Sequence, residues 1–172
     1  MKKFIALILA LVMAVAMVAC GEKAPAAADK APMAGTMEEN TLKVMELAPV
    51  EFMGGCIPVD LTDADSVKYF TGLQNADSIT DVAVYEPMMG SQAFSLVMAR
   101  TAEGADPKAV AEEMKSGIDP RKWICVGADE IMAAGYSDTV MFIMLDSQLG
   151  LSAQSYVDAF KEICGAELDF TI

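Results

Sequence analysis

Read for where apolar and polar residues fall, the chain begins with an uncharged apolar run, Phe4 to Ala19, behind Lys2 and Lys3. The run has 16 residues, long for the apolar core of a signal peptide and short for a bilayer span of about 20 residues. Leu42 to Phe52 fits a short helix ended by Pro49, or a strand, and Gly54-Gly55-Cys56 reads as a turn. Thr62-Asp63-Ala64-Asp65 marks a helix start, with Thr62 as its cap, Val67 and Phe70 inward and Gly72 closing it. Val82 to Tyr85 and Ala93 to Arg100 read as an antiparallel hairpin turning at Met88 to Ser91. Asp106-Pro107 opens the clearest helix, which carries Val110 and Met114 on one stripe and ends at Gly117.

Trp123 to Val126 is a strand or the approach to one. Ile131 to Ala134 and Thr139 to Leu145 flank Gly135-Tyr136-Ser137-Asp138 and form a second hairpin. Ser152 caps a last helix with Tyr156, Val157, Phe160, Ile163 and Cys164 on one face and Gly165 at its end. Leu168 to Ile172 supplies an edge strand. This order predicts an α+β fold: a two-layer sandwich of an antiparallel sheet with helices packed on one face. The two halves share a plan without a residue-level repeat.

The apolar run ends in Met17-Val18-Ala19-Cys20. Small or apolar residues before a cysteine match the lipobox of bacterial lipoprotein signals. There the sulfur takes a diacylglyceryl group and the chain is cut on the N-terminal side of the cysteine. Residues 1–19 are therefore expected to be a signal peptide, and Cys20 the lipid attachment site. Two or three acyl chains anchor stably where one is marginal. The expected location is the outer, extracytoplasmic face of the cell membrane, reached through the lipid on Cys20.

Gly21 to Thr41 is rich in Ala, Pro and Gly, with no apolar period. Residues 20–41 are expected to be the lipidated cysteine and a flexible linker, whose 21 residues after Cys20 would reach roughly 25 Å. Residues 42–172 are expected to form a single α+β domain.

Charge narrows the partners. Loss of Lys2 and Lys3 with residues 1–19 leaves ten basic against 25 acidic side chains, so the net charge moves from −13 to about −15. Nucleic acid and anionic lipid head groups need a basic surface and do not fit. The expected partners are the membrane, through the anchor, and an envelope protein or small ligand that the sequence does not identify.

The run Tyr69 to Leu73, then Asp81 to Met89, then Ala93 to Arg100, resembles domain-of-unknown-function family 4358. The helix Asp106 to Gly117 and the stretch Asp119-Pro120-Arg121-Lys122-Trp123 are similar to it too. The resemblance covers roughly residues 65–165 and rests on element order and apolar positions. That family occurs chiefly in lipoproteins of Gram-positive bacteria. The resemblance implies a fold neighbourhood and a location, and no chemistry.

The chain has no histidine, which removes the commonest general base, the usual Ser and Cys triads and the commonest zinc ligand. No nucleophile elbow, phosphate loop or metalloprotease motif occurs. Glu112 and Glu113 are adjacent on a helix and point apart. Cys56, Cys125 and Cys164 allow one disulfide, with Cys125–Cys164 the first pair to try, or three reduced, buried thiols.

Eleven of the 14 methionines follow residue 19. Thioethers suit Cu(I), but they are scattered and fit core filling better. Asp60, Asp63 and Asp65 crowd one helix start, where the helix end already accounts for two of them. Trp123 with Tyr85 and Tyr136 can line a groove, or serve the core. The expectation is a non-enzymatic envelope binding or interaction module with no cofactor, no metal site and no catalytic residue. The alternatives are a metal-handling lipoprotein and, further off, a carboxylate-based wall-modifying hydrolase.

Overall fold

The computed structural model describes residues 30–172. The expected signal peptide, Cys20 and the first part of the expected linker lie outside the described residues. The elements run α1 (Met37–Leu47), β1 (Gly54–Ile57), α2 (Ala64–Thr71), β2 (Ile79–Pro87), β3 (Phe94–Thr101), α3 (Pro107–Gly117), β4 (Glu130–Tyr136), β5 (Thr139–Leu145), a 3₁₀ turn (Ser147–Leu149), α4 (Ala153–Cys164) and β6 (Phe170–Thr171). The strands form one antiparallel sheet in the order β1-β2-β3-β5-β4-β6. Both expected hairpins, the helix behind Asp106-Pro107, the Ser152-capped helix and the C-terminal edge strand are in place.

The joint of the sheet is β3 against β5, paired without a slip from Phe94↔Leu145 to Arg100↔Thr139. Every residue of β5 is buried. Alternate residues of these strands serve opposite faces. Leu96, Met98, Met141, Ile143 and Leu145 pack with Met37 and Val44 of α1 and Tyr156 and Phe160 of α4. Val97, Ala99, Val140, Phe142 and Met144 pack with Val67 of α2 and Val110 and Met114 of α3. The α+β class and the antiparallel sheet are as expected. The helices, however, divide between both faces, α1 and α4 on one and α2 and α3 on the other. The reason is that β3 and β5 are apolar on both sides, and a single helix layer would leave one side in water.

Several local expectations change. The turn at Gly54-Gly55-Cys56 is strand β1, paired with β2. The cap of α2 is Asp63, whose carboxylate accepts from the Asp65 N–H, while Thr62 donates to Asp60. Trp123 to Val126 is loop. The ordered domain also starts before Leu42. Thr36 and Glu39 form a reciprocal capping box at the head of α1, and Met33, Met37, Asn40 and Thr41 are buried. The helical period was hidden because two of its inward positions, Asn40 and Thr41, are polar.

The segment leading into α1 is held at one end of the sheet. The Arg100 guanidinium donates to the carbonyls of Met33 and Gly35 at 2.8 Å and to Asp138 at 2.6 Å. Asp138 also accepts from the Met33 N–H, and Asp81 from the Met37 N–H. Lys30 reaches Asp169 at 2.6 Å and lies over the Tyr136 ring. Arg100→Ala removes the hub of this clamp and leaves carbonyls and a carboxylate short of partners. We expect limited trypsinolysis to cut at Lys30 and Lys43 several-fold faster than in wild type, with the new N-termini identified by mass spectrometry. An unchanged cleavage rate would show that the clamp does not hold the segment.

Candidate functional site

Alternation along β2 places Val82, Val84 and Glu86 on one face of the sheet. Val84 joins the apolar layer under α2 and α3, so Glu86 is an acid on a buried face. Its side chain is 8% exposed, and the Lys122 side chain that meets it is 2% exposed. The Lys122 ammonium lies 2.5 Å from the Glu86 carboxylate. Ser95, on neighbouring β3, donates to the same carboxylate at 2.8 Å. Charge is removed from water here at a cost that the pairing and the hydrogen bonds offset, among them one from the Lys122 ammonium to the Tyr69 carbonyl at 3.4 Å.

Three aromatic rings complete the enclosure. The Lys122 nitrogen is 4.9 Å from the centre of Tyr69, 5.4 Å from Trp123 and 5.5 Å from Phe70. Tyr69 and Phe70 meet edge to face at 4.9 Å. Ring faces carry negative potential and attract a cation most strongly where water is excluded. Burial draws the Lys122 ammonium below the ordinary lysine value, while Glu86 and Asp119 pull it back up. Burial, with the charges of Glu86 and Asp119, pushes the Tyr69 phenol up.

Two helix ends bring these groups together. Tyr69 and Phe70 lie in the last turn of α2, which closes at Gly72 in the left-handed conformation. Lys122 and Trp123 lie in the loop that leaves α3. The ends touch: a methyl group on Gly72 would meet the Met114 carbonyl at 2.5 Å and the Ile118 N–H nitrogen at 2.6 Å, and one on Gly117 would overlap the Gly72 carbonyl. Beside the cage opens a cleft of about 470 Å³ lined by Asp65, Lys68, Tyr69, Asp119, Arg121 and Lys122. A second, of about 580 Å³, lies on the other side of Arg121 and is lined by Trp123, Cys125 and Asp129.

At the same end of the sheet the loops expose large apolar groups. Met53, Met88, Met89 and Ile124 are between 65% and 78% exposed. Backbone bonds tie their loops together, from Met88 N–H to the Met53 carbonyl and from Ile124 N–H to the Gly90 carbonyl.

The residues singled out from the sequence are only partly brought together. Cys125 is an exposed residue of this loop, at a positive φ of 63°, whereas Cys164 ends α4 and packs against the layer on the other face. Neither they nor Cys56 are bridged. Trp123 belongs to one face and Tyr85 and Tyr136 to the other, so they make no common groove. The core methionines divide likewise, Met98 and Met141 on one face and Met114 and Met144 on the other. Asp60 and Asp63 spend their carboxylates on the turn and cap before α2. Among the described residues no three or more Cys, Asp or Glu side chains converge on a metal site.

Glu86 and Lys122 were not recognisable as partners from their spacing. The signal that singles out Glu86 is its inward register after Val82 and Val84, which demands a cationic partner somewhere in the chain.

Burial pushes the Cys164 thiol up to about 12 and raises that of Cys56, with the charge of Glu38 adding to the latter. In the folded protein a maleimide at pH 8 is therefore expected to modify Cys125 first, with Cys56 and Cys164 lagging. Peptide mapping checks the order. Three reactive thiols besides Cys20 should appear on denaturation, and only one would reveal a bridge.

No family model, no curated protein and no solved structure matches the chain.

Proposed function

We propose that this chain is a lipid-anchored lipoprotein whose domain is a non-enzymatic binding module of the cell envelope. The lipobox at Cys20 and the resemblance to a lipoprotein-borne family support the anchoring. The carrying observation is the polarity of the domain. The segment that follows the linker is clamped at the Arg100, Asp138 and Asp169 end of the sheet. The clefts and the exposed Met53, Met88, Met89 and Ile124 lie at the other end. The eight residues of β3 separate the two ends, about 25 Å at strand rise. A tether on one end presents the other to the envelope.

The test has two parts. Cys20→Ser is expected to abolish palmitate labelling and release the protein from membranes. In lipidated protein on intact cells, a photo-crosslinker at Met89 is expected to give a discrete adduct, and one at Lys108 to give none. Equal labelling in both proteins would overturn the anchoring. Matching adduct patterns from the two positions would overturn the assignment of the binding end.

A further inference from the structure

Lys122 sits in a site whose other members are those of an organic-cation receptor. Three rings from two separate segments, Tyr69 and Phe70 on α2 and Trp123 on the loop, surround one ammonium, with the Glu86 carboxylate as counter-charge. Tyr69 and Lys122 also line the 470 Å³ cleft, and the buried Lys122 ammonium rests on Glu86 beneath it. We propose that the Glu86, Tyr69, Phe70 and Trp123 cage binds the ammonium group of an alkylammonium ligand entering through this cleft, with Lys122 as its built-in competitor. This deepens the binding-module reading, and rests on it only for where the ligand is met.

The occupant must be a cation. If Lys122 left without replacement, Glu86 would be stranded in an apolar layer with the Ser95 hydroxyl as its one remaining hydrogen-bond donor among the described residues, which is strongly unfavourable. If an incoming ammonium takes its place, the ion pair and the cation–ring contacts are exchanged rather than lost. A potassium ion is not equivalent, because the cage is walled by rings and suits a weakly hydrated organic cation. The displaced side chain has somewhere to go. Residues 119–129 form neither helix nor strand, and the backbone bonds near Lys122 are few: Lys122 N–H to the Asp119 carbonyl at 3.4 Å, Ile124 to Gly90 and Ala128 to Pro120. Asp119 on the cleft lies close enough to Lys122 to favour its charged form, and favours an entering cation in the same way.

Trp123 is the only tryptophan of the chain, so its emission reports this site alone. The full lipoprotein in non-ionic detergent is titrated with n-butylammonium chloride, and separately with a short peptide amide bearing one lysine. A saturable change in emission is expected, with none for potassium chloride at matched ionic strength. Tighter binding of the peptide assigns a peptide-borne lysine as the ligand, and tighter binding of butylammonium a free amine. Lys122→Ala removes the competitor and should tighten butylammonium binding about tenfold, and adding Glu86→Gln should cancel that gain. An equal response to potassium chloride, or no saturable response in either wild type or folded Lys122→Ala, overturns the proposal. If Lys122→Ala does not fold, the wild-type titration decides alone. The palmitate and crosslinking results stand independently of this titration, so the two readings fail separately.

Discussion

Lys122→Met is expected to lower the free energy of unfolding by about 3–5 kcal/mol, seen as a lower urea midpoint at unchanged slope. Methionine fills a similar volume and keeps the contacts of the lysine stem with the rings. What it removes is the charge facing Glu86, which is 8% exposed at its side chain. The carboxylate is then buried with the Ser95 hydroxyl at 2.8 Å as its remaining hydrogen-bond partner. Most of the loss belongs to that stranded charge rather than to the pair itself. The double variant Lys122→Met, Glu86→Leu should therefore recover most of the stability, because two apolar groups replace two compensated charges. A Lys122→Met variant within about 1 kcal/mol of wild type would show that water reaches Glu86 and that the pair behaves as a surface bridge.

Gly72→Ala is the second large effect, at about 3 kcal/mol or more. Gly72 has φ +82° and caps α2 in the left-handed conformation. A side chain is strained there whatever the space, and the space is absent too, since a methyl group would meet the Met114 carbonyl at 2.5 Å. Gly117→Ala presses the same contact from the other side, at the end of α3. The consequence reaches the candidate site, because these two ends carry Tyr69 and Phe70 on one side and lead to Lys122 and Trp123 on the other. We expect Gly72→Ala both to lower the melting temperature and to shift Trp123 emission in the protein that remains folded. Gly150→Ala is the control: its φ is also positive, at +72°, but nothing lies within 4 Å of the added carbon, so it should show the backbone strain alone and leave Trp123 unmoved.

Much of the fold was legible along the chain. Asp106-Pro107 at the head of α3, and Ser152 and Gly165 at the two ends of α4, mark these helices because their signals are local: a side-chain oxygen for a free N–H, a ring that fits the first turn, and at Gly165 a residue that tolerates positive φ; α3 instead ends with Gly117 still helical and Ile118 as its cap at negative φ. The hairpins were legible because both strands of each pair lie a turn apart. Two features of the fold run against simple amphipathic patterns. The unbroken run Val140 to Leu145 does not alternate, which announces a strand covered on both faces, so the second helix layer was present in the sequence in principle. Residues 33–41 have the composition of a linker, yet Met37, Asn40 and Thr41 turn inward at the head of α1, two of the three with polar side chains.

The candidate site was less legible. Tyr69, Phe70, Glu86, Lys122 and Trp123 all lie in stretches that resemble a family; Phe70 is expected inward and Trp123 in a groove or the core, while nothing local gives Tyr69, Glu86 or Lys122 a role. Glu86 and Lys122 lie 36 positions apart, and the contact between them has no short-range signal. By itself the sequence determined the strand and helix order, most of the caps and the absence of histidine, and supplies the Met17-Val18-Ala19-Cys20 run on which the proposed lipid anchor rests, since each of these depends on neighbouring residues or on composition. Only the tertiary structure decided the two helix layers, the end of the sheet that holds the incoming segment, and the aromatic cage around Lys122. Those depend on which faces of distant segments meet, and the meeting is set by burying both sides of β3 and β5 at once.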